Sequence, residues 1–160
     1  SVLGVAFVIA GDLRLFVVVE RCVSRRGLDA RAVGLAVASA LVVPIASAVA
    51  RLAVPAVAAS ERVQYLVYEA MFVALALVWR LGVLPARLRE ATPEARRWAL
   101  SATTFVLAQY TLWATADVLI LAGRDVGFAL RLAPNALYYA LFLPFVYATA
   151  PASERALGPA

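Results

Sequence analysis

The chain has 160 residues, of which 64% are hydrophobic and only 16% charged, with a mean hydropathy of +0.87. Soluble domains run at about half apolar and a quarter charged, so this balance points to an integral membrane protein. All 15 basic residues are Arg, there is no His, and Cys22 is the single cysteine, which excludes Schiff-base chemistry on Lys, haem or zinc held by imidazole, disulfides and iron–sulfur ligation.

A hydrocarbon core of about 30 Å is crossed by about 20 residues at 1.5 Å each. On that measure the sequence divides into five apolar spans, approximately 2–19, 32–50, 63–79, 98–122 and 127–149. Residues 1–160 form one helical domain, since there is no internal repeat. The first span carries Asp12 and Arg14 and is the weakest of the five. These two residues stand two apart and cannot face each other on a helix, which implies partners elsewhere or a helix that ends early, with Gln109 a candidate neighbour for Asp12. The span does not read as a secretory signal peptide, because it lacks a basic leading region and has charges where the apolar centre belongs.

Asp29 is the expected N-cap of the second span, whose many small residues, from Gly34 and Ala36 to Ala48 and Ala50, suit close helix packing in lipid. Ser60 followed by Glu61 opens the third span, where Tyr65, Tyr68, Glu69 and Phe72 recur at helical spacing as one stripe. Thr92-Pro93-Glu94 opens the fourth, with Pro at the first helical position and an acid in the first turn. On it Tyr110, Trp113 and Asp117 form a second stripe. Gly123 ends the fourth span, and a short turn through Arg124 and Asp125 makes the fourth and fifth an antiparallel hairpin. Arg131, Asn135, Tyr138, Phe142 and Phe145 form the third stripe. Pro44, Pro134 and Pro144 lie inside spans, which lipid-embedded helices accommodate with kinks.

Cationic loops are retained in the cytoplasm. Four arginines (Arg21, Arg25, Arg26 and Arg31) follow the first span, and five (Arg80, Arg87, Arg89, Arg96 and Arg97) follow the third, while the other connections are poor. The expected fold is therefore an all-α, polytopic integral membrane bundle with five transmembrane helices, N-terminus outside and C-terminus cytoplasmic, in the cytoplasmic membrane of a prokaryote. Cys22 reads as a plain free thiol at the inner boundary. The basic residues are accounted for by these loops, so nucleic acid is not an expected partner.

An ionisable group at the bilayer centre costs roughly 2.5 to 3.5 kcal/mol on insertion scales and turns toward protein or water. Counting from the Arg124–Asp125 turn places Asp117 and Arg131 at one depth, with Glu69 at the same level on the third span. The candidate ligand site, ion site or buried network is Glu69, Asp117, Arg131, Asn135, Tyr65, Tyr68, Tyr110, Trp113 and Tyr138, with Asp12 and Arg14 a second charged group. No catalytic motif is present, and no catalytic residue, cofactor or metal is expected. The primary expectation is a non-enzymatic accessory or self-assembling subunit of a membrane complex, whose partners are lipids and other membrane subunits or itself. The alternative is an oligomeric small transporter or channel for protons, ions or an organic cation, using Glu69, Asp117 and Arg131.

Overall fold

The computed structural model describes residues 2–24 and 27–155. Arg25 and Arg26, two of the arginines counted toward orientation, lie outside the described residues. Five long helices follow one another: α1 (Val2–Val23), α2 (Ala30–Ala53), α3 (Glu61–Arg87), α4 (Pro93–Leu121) and α5 (Val126–Thr149). A one-turn helix, Pro55–Ala58, joins α2 to α3, and another, Ala152–Arg155, follows α5. There is no strand among the described residues. Helices α2, α3, α4 and α5 are each long and apolar enough to cross a membrane, and this architecture suits a helical membrane bundle.

The helix ends are closed by the residues that their chemistry favours. The side chains of Asp29, Ser60 and Thr92 accept from the backbone N–H groups of Ala32, Val63 and Ala95, satisfying donors that the first turn leaves free. At the far end of α4, Gly123 takes φ 72°, a left-handed conformation that costs glycine nothing.

Two helices contain a π-helical turn, Trp79–Val83 in α3 and Leu137–Leu141 in α5. Each lies just ahead of a proline, Pro85 and Pro144. In an α-helix the proline ring would collide with the carbonyl four residues back, at Leu81 or Ala140, and would leave that carbonyl without its donor. Widening the preceding turn moves those carbonyls aside, so the helix continues through the proline. Helix α3 consequently runs eight residues past the expected end of its span at position 79.

Helices α1, α2, α3 and α4 form a ring in which each packs beside the next and α4 returns to α1; α5 lies along the outside of α4. The side of α2 that packs inward is a stripe of small residues, Ala32, Ala36, Ala40, Val43 and Ser47, which lets neighbouring backbones come close. Gly34 takes no part in that packing, since the space around its α-carbon is open. Inside the ring Phe72 stacks on Tyr110 at 4.1 Å, and Phe16 meets both Phe72 and Trp79.

One end of the bundle carries Arg62, Asp117 and Arg131. At the other, Arg87 grips Glu20 with two hydrogen bonds of 2.5 and 2.9 Å, and Arg21 bonds Glu154 at 2.8 Å. The C-terminal ends of α1 and α3 and the turn after α5 therefore lie at the same end, as an alternating path of five helices requires.

Candidate functional site: a buried polar column

Among the described residues the expected site and the second charged group resolve into three layers of buried carboxylates. In the first, Asp117 is fully buried on α4 and its Oδ1 accepts from two arginines, Arg131 of α5 and Arg62 of α3, the latter at 3.0 Å. Hairpin geometry is what sets Asp117 and Arg131 opposite each other. Arg62 was not anticipated; it stands seven residues before Glu69 on α3, two helical turns nearer the helix start, where its long side chain reaches Asp117. Glu69 is 5% exposed and lies within electrostatic range of Asp117, Arg131 and Arg62. Neither arginine is bonded to it; both are on Asp117. Glu69 Oε2 and Asp117 Oδ2 are buried without a hydrogen-bond partner.

The second layer is centred on Asp12, near the middle of α1 and 3% exposed. Tyr110 of α4 donates to its Oδ1, and Tyr68 of α3 donates to its Oδ2 at 2.5 Å. The tyrosines expected around Glu69 thus serve Asp12 instead, because one α-helical step of about 100° turns Tyr68 from the Glu69 direction toward α1. Gln109 lines the same cavity as Asp12, as its position on α4 suggested. That cavity measures about 10 Å³, room for roughly one water molecule.

Arg14 lines the same cavity but makes no hydrogen bond to Asp12. Its Nε donates to the Gly11 carbonyl at 3.0 Å and its Nη2 to the Tyr138 carbonyl at 3.1 Å, inside the π-helical turn of α5. The guanidinium also lies over the Tyr138 and Phe142 rings. Tyr138 in turn donates to the Val8 carbonyl at 3.2 Å and seats its hydroxyl end directly over Gly11, where any Cβ would occupy the same space. Trp113 and Asn135 do face each other, joined by an Nε1–H to Oδ1 bond of 2.9 Å between α4 and α5. Tyr65 is the exception among the candidates: it is 54% exposed and belongs to neither layer. A four-residue stripe of tyrosine and acid is wider than the buried face of α3, and its leading residue falls outside.

The third layer, the Glu20–Arg87 pair, was missed as a pair. Glu20 sits three residues inside the end of α1 and Arg87 ends α3, two termini that a span count leaves without a common depth. Among the described residues no group of three acidic, His or Cys side chains could hold a metal ion. Set against known families, curated proteins and solved structures, the chain matches none.

Proposed function

We propose that this chain is a non-enzymatic membrane protein of five spanning helices that works as an accessory or self-assembling subunit of a membrane complex. Its polar layers fix the register of the helices, and its α1–α5 side receives a second copy or another subunit. The topology has its basic loops and C-terminus in the cytoplasm, in keeping with the alternating arginine count.

The observation that carries this reading is a polar spot on the outside of the bundle, halfway along α1 and α5. Arg14 lies near the middle of α1 and is only half-buried, and Tyr139 lies near the middle of α5 and is 72% exposed. Both touch the Tyr138 ring. Hydrocarbon is a poor solvent for a guanidinium and a phenol, whereas a neighbouring protein helix is a good one. Membrane lipid surrounds the remaining apolar faces.

A second reading, an oligomeric transporter or channel for protons or ions, draws support from the unpartnered Glu69 oxygen. The packing around Asp12 leaves no space there for an organic cation.

Native mass measurement of the purified protein in lipid nanodiscs tests the subunit reading. The expected result is a particle heavier than one 17.0 kDa chain, reduced toward the single chain by Tyr139→Leu. A wild-type protein that stays monomeric and unaccompanied contradicts it.

A further inference from the structure

The first carboxylate layer has a vacancy of hydrogen bonding that the subunit reading does not use. An ionised carboxylate offers about four lone-pair sites, all acceptors. Glu69 and Asp117 each present a buried oxygen to which nothing donates, but Asp117 is compensated through its Oδ1, which engages both nearby cations, and Glu69 has neither of them. A carboxylic acid carries its own O–H donor and has less to lose in the same place.

Three chemistries could satisfy the Glu69 oxygen. A hard metal cation takes six or more oxygens, and no third acidic, His or Cys side chain completes a cluster here among the described residues. An organic ammonium would set a third cation against two guanidiniums already converging on Asp117. A proton needs neither a cavity nor further ligands. With Glu69 ionised, the two arginines and two carboxylates sum to zero; with Glu69 protonated the layer carries one positive charge. The two states differ by one proton.

We propose that Glu69 is a proton-binding site in the layer it shares with Asp117, Arg62 and Arg131, those three acting as fixed charges around it. Around it, α3 contributes Arg62, α4 contributes Asp117 and α5 contributes Arg131, while Glu61 and Tyr65 of α3 and Arg124 and Asp125 of the turn between α4 and α5 are exposed at the same end. Helix α2 brings only the exposed Arg51 to that end, and Asp12 of α1 is engaged by Tyr68 and Tyr110. The side chains of Arg62 and Arg131 are 30% and 25% exposed, which gives water a route to the layer. Nothing in this assignment depends on assembly, so a monomeric protein would leave it standing.

Infrared difference spectra of the lipid-reconstituted protein between acid and alkaline buffer test it. Exposed carboxyls give a hydrated C=O band, whereas a dry carboxylic acid gives a separate band at higher frequency. The expected result is one such dry band in the wild type, lost on raising the pH and absent from Glu69→Gln. An undiminished band in Glu69→Gln, or no dry band in the wild type, overturns the proposal. Should Glu69→Gln fail to fold, isotopic labelling of wild-type glutamate side chains decides instead: the band shifts with labelled glutamate if Glu69 carries the proton. A band that shifts only with labelled aspartate overturns the assignment.

Discussion

Gly11 shows how a single position controls the polar interior. The Tyr138 hydroxyl rests where a Cβ on residue 11 would stand, and from there it reaches the Val8 carbonyl while its ring supports Arg14. Gly11→Ala must therefore push Tyr138 away and disturb the Arg14 contacts with it. Overpacking of this kind costs about 1–3 kcal/mol, and the expected result is a lower thermal midpoint in detergent. A Gly34→Ala control, made where the space is open, is expected to be neutral or slightly stabilising because alanine favours the helix. Equal losses in the two variants would mean that residue 11 has no special contact.

At the scale of elements, Asp117 ties together three helices through one oxygen. Removing Arg131 leaves Arg62 still bonded to that oxygen, whereas neutralising Asp117 takes the bonded carboxylate charge from both arginines at once. Breaking a buried pair by deleting one partner typically costs about 3–5 kcal/mol, so Asp117→Asn is expected to fall in that range and Arg131→Gln well below it. The Asp117→Asn, Arg131→Gln double variant is expected to lose less than the sum, as residues in direct contact do. Thermal stability of the four proteins measures the cycle. Additive losses, or a larger loss for Arg131→Gln than for Asp117→Asn, would contradict the shared-oxygen arrangement.

The elements themselves were largely legible in the sequence. Capping residues and apolar blocks placed the helices within a few residues at most ends, because the membrane demands length and apolarity from each span separately. The shared depth of Asp117 and Arg131 was legible too, since a short hairpin fixes two helices to one origin. Partnerships between helices without such a common origin were not. Asp12 with Tyr68 and Tyr110, and Glu20 with Arg87, depend on how far α1 slides along its neighbours, which no loop length dictates. The π-helical turns were hidden for a different reason: proline announces a disturbance, but the surrounding packing decides whether the helix kinks or widens.

Across the whole molecule, four helices form a closed ring with an aromatic interior, and α5 is added outside it against α4. The polar layers are stacked along the bundle, and most of their charge is turned inward and paired. Arg14 and Tyr139 stand apart from that pattern, the first half-buried midway along α1 and the second exposed midway along the added helix. Outward-facing Ile45 of α2, 60% exposed, has the chemistry of a lipid contact. The contrast between these two surfaces allows a direct test of the subunit proposal. A photoreactive phenylalanine analogue is placed at position 139 or at position 45, and the protein is irradiated in its native membrane. Position 139 is expected to cross-link to protein, a second copy or another membrane subunit, and position 45 to lipid; lipid adducts alone at position 139 would contradict the account.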